Sequence, residues 1–481
     1  MEKAKIQQAI GTFLSWFFLM MAAFFPWPAS AVDFRSLPPD KIYFPPLTFD
    51  LVEPQRLVLD NGLVIYFLED HELPLINIRA LVKTGTIYDP VGKEGVAELT
   101  AAVMRTGGTK SAKSDEVDGF LDFLAAHAAI SMSRDSCQIN FSIAKNDFGE
   151  GLEILSQILM QPAFEPQKYD LAVELKKEDL RRLKDNPQRL AFREFNRLIY
   201  QGDPWGRFST QTSIANIVRE DLISFHSRFF RPDNIIFAVS GDVSRVQLIE
   251  KFRLSFGAWQ KGEKIEPVPM PHLKTAPGVY CLHKDMPQSI IITGQFAPGK
   301  NDSTDYFAST LLDFVTGSGG FASKIVGAVR SSRGLAYSAG SYYRARPDFG
   351  VLGAYAFTKT VSTMKTMGLI HTVLDEVRRG AVTEEELAWA KRSINNGFIF
   401  SFTTPDSILW QQINNEYDRL PADFLVSYCN KISSVNIIDI NRMAAKYLDK
   451  KNNVVLILGD CGNLDESEDK TTRPVLITLP D

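Results

Sequence analysis

Six histidines stand in the 481-residue chain: His71, His127, His226, His272, His283 and His371. A hydrolytic zinc ion is usually gripped by two imidazoles on one helix face plus a third donor. His272 and His283 are the nearest pair, and they are too far apart to share one or two helical turns. A helical two-histidine zinc site is therefore excluded. Acyl-transfer chemistry lacks its marker, since no G-x-S-x-G elbow is present. The run Gly317-Ser318-Gly319-Gly320-Phe321-Ala322-Ser323-Lys324 resembles a phosphate cradle only superficially, because the G-x-x-x-x-G-K-[ST] spacing is missing. It reads as a glycine-rich entry to a helix. Cys137, Cys281, Cys429 and Cys461 lie far apart with no C-x-x-C pair. An oxidising compartment would permit one disulfide among them. Cys137 sits on the apolar side of an alternating run, as a small buried hydrophobe would.

The elements that must position any site follow from periodicity. Asp60-Asn61-Gly62 between Leu57-Val58-Leu59 and Leu63-Val64-Ile65-Tyr66-Phe67 predicts a hairpin. Ile76, Ile78, Ala80 and Val82 alternate as in a half-buried strand. Helical spacing covers 94–106, with Val96, Leu99 and Val103 on one face. Further helices carry Val117, Phe120, Leu121 and Leu124, then Leu152, Leu155, Ile158 and Leu159. A long charged helix spans about 167–185 and ends near Asn186-Pro187. Strands and helices mix without regular βαβ alternation, so the class is α+β. Asp233-Asn234 followed by the apolar run Ile235 to Gly241 is echoed by Asn452-Asn453 and Val454 to Gly459, each after an amphipathic stretch. Two copies of one unit are the simplest reading. We expect two homologous domains, each a mostly antiparallel sheet packed with helices, joined by a linker.

Composition sets the outer limits. Net charge is −4 with 45% hydrophobic residues, an ordinary globular balance without the basic face of a nucleic-acid binder. The start reads as a secretory signal peptide: Lys3 and Lys5, an apolar run from Ile10 to Phe25, then Ala29-Ser30-Ala31 as a cleavage site. An uncleaved anchor is the alternative, since the run almost spans a bilayer. The expected divisions are a signal peptide over 1–31, an N-terminal domain over 45–258, a Pro-rich charged linker over 259–274, a C-terminal domain over 275–461 and an irregular tail over 462–481.

The segment from Gly95 to Thr109, Gly-Val-Ala-Glu-Leu-Thr-Ala-Ala-Val-Met-Arg-Thr-Gly-Gly-Thr, resembles the zinc helix of the insulinase/pitrilysin peptidases, a family that includes the mitochondrial processing peptidase. In that family an H-x-x-E-H motif stands between G-x-A and G-T. Here the frame is kept and the contents are changed. Glu98 takes the place of the first zinc histidine, Ala101 that of the catalytic glutamate and Ala102 that of the second histidine. Alanine offers neither a ligand nor a base. The family's third ligand falls by counting on Glu178. The resemblance continues through Asp203-Pro204-Trp205-Gly206-Arg207, Arg231-Pro232-Asp233-Asn234 and the stretch from Val329 to Ser338, which matches R-x-x-R-G-L-A-Y. It implies that Arg330 and Tyr337 face the zinc half across a cavity. Guanidinium and phenol can donate to peptide carbonyls there.

What the resemblance implies is a chain with no cofactor of its own, the zinc being expected in an active partner of the same family. It would be the non-catalytic member of a heterodimer, completing a peptide-binding chamber in the periplasm or another exported space. A structural scaffold with the peptidase fold and a stand-alone metallopeptidase with unrecognised residues remain the alternatives. Nucleic acid is not expected as a partner, nor is a stable membrane span once the signal is cleaved.

Overall fold

The computed structural model describes residues 52–267, 269–465 and 473–479. Residues 1–31, read above as a signal peptide, lie outside them. The first half contains, in order, β1 (Gln55–Val58), β2 (Val64–Glu69), β3 (Leu75–Val82), α1 (Val96–Thr106), α2 (Ser114–Phe123), β4 (His127–Met132) and β5 (Cys137–Ala144). It continues with α3 (Phe148–Met160), α4 (Pro166–Arg181), α5 (Pro187–Ile199), α6 (Gln211–Ala215), α7 (Arg219–Phe229), β6 (Ile235–Gly241) and α8 (Arg245–Phe256). The second half runs β7 (Gly278–His283), β8 (Gln288–Ala297), α9 (Ser303–Asp313), β9 (Ala336–Ala345), β10 (Gly350–Lys359) and α10 (Thr363–Arg378). It closes with α11 (Glu384–Phe398), α12 (Pro405–Tyr417), α13 (Phe424–Ser434), α14 (Ile437–Tyr447), β11 (Val454–Gly459) and β12 (Val475–Ile477).

The duplication read from the chain is visible in the sheets. Their strand orders are β1-β2-β6-β3-β5-β4 and β12-β7-β11-β8-β10-β9. The echoed runs become β6 and β11: β6 is parallel to β2 and antiparallel to β3, and β11 is parallel to β7 and antiparallel to β8. The outermost strands differ: β1 is antiparallel to β2, whereas β12 is parallel to β7. The class is α+β, as expected. One expectation fails: the tail is not irregular throughout, because Val475, Leu476 and Ile477 pair with Tyr280, Cys281 and Leu282. Three consecutive apolar residues are too short a run to stand out, and β7 supplies the pairing from a distance.

Every residue of β6 and of β11 is buried. A strand that reads as a continuous apolar run has both faces covered. In the first sheet one face carries Ile65, Phe67, Ile78, Ala80 and Phe237 into a core with α1, α3, α7 and α8 residues. The opposite face is covered by a helix of the second half. Leu409 and Ile413, four apart on α12, pack on Tyr66, Leu81, Ile236 and Ala238. The second sheet receives the reciprocal cover: Leu190, Ala191, Phe195 and Leu198 of α5 pack on Leu282, Ile290, Ile292, Val351 and Leu456. Burying one such side chain contributes roughly 1.5–3 kcal/mol, so the halves are interlocked by exchanged helices. Polar contacts add direction: Arg56 Nε donates to Glu416 at 2.8 Å, Arg79 pairs with Asp406 at 2.6 Å and Tyr417 donates to the Asp135 carbonyl at 2.6 Å. The sequence divisions at 258 and 275 do not contain this exchange.

Cys281 and Cys461 form a disulfide, while Cys137 is free and fully buried and Cys429 is free. No helix among the described residues is long and apolar enough to cross a membrane.

Candidate functional site

Helix α1 begins at Gly95, whose φ of 119° lies in the left-handed region. A Cβ there would also stand 2.3 Å from Ile214 Cδ1. Conformation is what requires glycine here, since the Ile214 methyl could turn aside but the left-handed backbone could not. The Asp89 carboxylate caps the helix, accepting from Gly95 N at 2.7 Å and Ala97 N at 2.8 Å. Burial pushes this carboxyl up to about 7, against the pull of those two donors. Val96, Leu99 and Val103 turn into the core, which fixes where the remaining positions point.

Ala101 is buried and Ala102 exposed, each ending in a methyl group. Glu98 is half-exposed and committed: Lys176 Nζ of α4 lies 2.7 Å from its Oε2. Lys176 also lies 4.0 Å from Asp179, and Asp179 receives both terminal nitrogens of Arg189 at 2.6 and 2.7 Å. The Arg189 hydrogen bonds hold the Asp179 carboxyl below its ordinary range. Arg134 and Arg193 add their fields at Glu98. The Glu98 and Asp179 carboxylates therefore sit among an ammonium and three guanidinium groups.

Glu178 belongs to a different grouping. It accepts from Arg182 at 2.7 Å and from Arg181 at 3.1 Å on its own helix, and Arg182 foremost lowers its carboxyl. No group of three or more His, Cys, Asp and Glu among the described residues is placed to hold a metal. The four positions present two methyls, one carboxylate bonded to lysine and one bonded to arginines. This donor set does not fit zinc, which needs several uncommitted N, O or S ligands. Lys176 is invisible to motif counting, which looks for donors rather than for the cation that displaces one. Its only signal is helical: Lys176 and Asp179 share a face at i,i+3.

The second half presents its residues through irregular turns. The expected glycine-rich entry to a helix is a π-turn at Phe314–Ser318 and a 3-10 turn at Gly320–Ala322, before a π-helix at Val326–Ser331. Gly320, at φ 78°, turns the chain so that Phe321 stands 70% exposed. Arg330 lies near the end of the π-helix. Its guanidinium carbon lies 4.7 Å from the centre of the Phe321 ring and 5.3 Å from that of Tyr337. Tyr337, on β9, is 84% exposed, so its ring is displayed rather than packed. Arg330 forms no ion pair or side-chain hydrogen bond among the described residues. Phe321 went unnoticed in the sequence because aromatic exposure is a property of the loop's shape.

Around this group run connected hollows. One of about 330 Å³ is lined by Phe321, Arg330, Ser338 and Tyr355. A second, of about 530 Å³, shares Ser338 and Tyr355 and is walled by Arg189 and Phe192 of α5. A third, of about 660 Å³, lies between the halves and is lined by Asp135, Asp313, Arg344, Arg346 and Tyr417. Arg344 lines both of the larger two. Asp313 is buried, accepts from Ser341 Oγ at 2.5 Å, and is pushed up to about 6 by desolvation.

Residues 66–213 match the family model for insulinase (peptidase family M16), and residues 216–394 match that for the peptidase M16 inactive domain. A Rickettsia bellii relative named an uncharacterized zinc protease is 24% identical over 345 residues, 70% of this chain and 81% of its own. A Helicobacter pylori relative named non-peptidase homolog YmxG is 24% identical over 391 residues, 78% of this chain and 87% of its own. The crystal structure of a peptidase M16 inactive domain from Pseudomonas fluorescens is similar at a TM-score of 0.77 and 21% identity, covering 85% of this chain and 98% of that one.

Proposed function

This chain belongs to the insulinase-type peptidase family M16, and from that membership we propose that it is the non-catalytic subunit of an exported zinc metallopeptidase. In this reading it completes the peptide-binding chamber of an active, zinc-bearing partner. The supporting observation is the state of α1 and α4. A lysine ammonium is bonded to the one carboxylate left on α1 at the metal positions, and methyl groups stand where a base and an imidazole would be needed.

Hydrolysis of a peptide needs an activated water and stabilisation of the developing oxyanion. At the motif positions of α1 nothing can take a proton from water: Ala101 has no ionisable group and Glu98 is held by Lys176. The second half keeps a different capability. Arg330 and Tyr337 are displayed side by side, with donor groups that a peptide carbonyl can accept from. Divided this way, the partner supplies zinc, base and water, while this chain binds and orients the peptide. The exchange of α5 and α12 would keep the two walls of this subunit in register during that task.

The test is purification of the native complex, with mass spectrometry of its subunits and measurement of its metal. One zinc per pair, carried by a homologue with intact H-x-x-E-H, is the expected result. This chain recovered alone, with stoichiometric zinc and chelator-sensitive cleavage, would overturn the proposal.

A further inference from the structure

The two hollows that meet at Ser338 and Tyr355 contain no carboxylate among their lining residues, yet three arginines face them. Arg330 stands at one end, Arg344 and Arg189 toward the other. Arg189 is neutralised by Asp179. Arg330 and Arg344 form no ion pair among the described residues. The side-chain contacts of each are with aromatic rings: Arg330 with those of Phe321 and Tyr337, and Arg344 with those of Phe192 and Tyr342 at 5.6 Å. Arg344 is exposed at the mouth of its hollow.

Stacking on a ring fixes the plane of a guanidinium while leaving its N–H edge open. That open edge matches a carboxylate, which can accept two parallel hydrogen bonds. The chain as a whole carries a net charge of −4, so this concentration of cations is local. The asparagine, glutamine and serine side chains lining the hollows offer hydrogen bonds to an extended backbone without adding charge.

We propose that this groove binds an acidic peptide segment, with carboxylates of the peptide seated on Arg330 and Arg344. The proposal rests on the reading that this subunit holds peptide, and it names the class of peptide. Phe321 and Phe192 are positioning residues that hold the two guanidinium planes. A lysine-rich segment would meet repulsion at Arg330 and Arg344.

The probes are three fluorescein-labelled decapeptides of one length, rich in Asp and Glu, in Asn and Gln, or in Lys. Their binding to the purified full chain is followed by fluorescence anisotropy. The acidic peptide is expected to bind at least about tenfold more tightly than its neutral counterpart, with a preference that shrinks as salt rises. Arg330→Gln and Arg344→Gln should each remove most of that preference, whereas Arg253→Gln, at an exposed position of α8, should leave it intact. Phe192→Leu should weaken the acidic peptide more than the neutral one. Equal binding of all three peptides would overturn the charge preference while leaving the peptide-holding reading in place. Failure of every peptide to bind would remove both. An oligothymidylate competing as well as the acidic peptide would show a general polyanion surface and would also sink the proposal.

Discussion

Rebuilding the metal motif gives a quantitative test of what Lys176 does. The triple change Glu98→His, Ala101→Glu and Ala102→His restores the letters of H-x-x-E-H on α1. It does not remove the ammonium, which stands 2.7 Å from the present Glu98 carboxylate. A zinc ion held by the new imidazole at position 98 would lie close to that charge. For a dication and a monocation at about 4 Å, with an effective dielectric near 20, the repulsion is roughly 8 kcal/mol. Structural zinc sites bind with about 10–16 kcal/mol. The lysine would thus cancel half or more of the affinity, less whatever it recovers by swinging into solvent. Adding Lys176→Met removes this repulsion. Zinc affinity measured by competition with a colorimetric chelator should be at least about 100-fold higher for the quadruple variant than for the triple, a difference of roughly 3 kcal/mol. Equal affinities in both would refute the claim that Lys176 blocks the site. The third ligand is a further obstacle, because Glu178 must first leave Arg181 and Arg182.

In the proposed pair, Arg330→Ala should lower kcat roughly 10- to 100-fold and Tyr337→Phe about tenfold, at or below the lower end of what one transition-state donor supplies; native mass spectrometry should still find the two chains together. Unchanged turnover in both would remove their role. Ile413→Ala deletes a fully buried side chain where α12 covers the first sheet, and should cost about 2–5 kcal/mol in urea unfolding. An effect within about 0.5 kcal/mol, the range of an ordinary surface substitution, would mean that the exchanged helix is not holding that sheet. Burial holds the His226 imidazole down to about 4, while Nε2 bonds the Leu159 carbonyl at 2.8 Å. The unfolded chain binds this proton near 6.5 and the folded chain only near 4, so stability is lost as pH falls through that interval. The upper bound is roughly 3 kcal/mol at about 1.36 kcal/mol per unit. His226→Gln should flatten this slope, and the difference between the two proteins isolates it from Asp89, whose raised value acts in the opposite sense. Parallel slopes would refute it.

Local signals carried much of the architecture. The Asn61-Gly62 hairpin, the alternation of Ile76 to Val82 and the 3.6-residue spacing of α1 depend on neighbours in the chain, and all three elements form where expected. The charged helix was legible too, though it gives way to a 3-10 turn at Arg182–Asp185. The disulfide partners were not legible. Cys281 and Cys461 are 180 residues apart, and only the parallel register of β7 and β11 brings them together.

At the metal positions the chain by itself determined a loss, because an alanine cannot ligate or take a proton in any fold. It also determined the duplication, because two apolar runs of the same kind must both be sheltered on two sides. Which helix shelters each one was decided in three dimensions, where α12 and α5 cross to the other half. Tertiary structure likewise decided that Glu98 is matched by Lys176, that Glu178 is drawn to other partners, and that Arg330 lies between two rings. Periodicity reports which face of an element is apolar, but the identity of the side chain that meets it across space depends on how the elements pack.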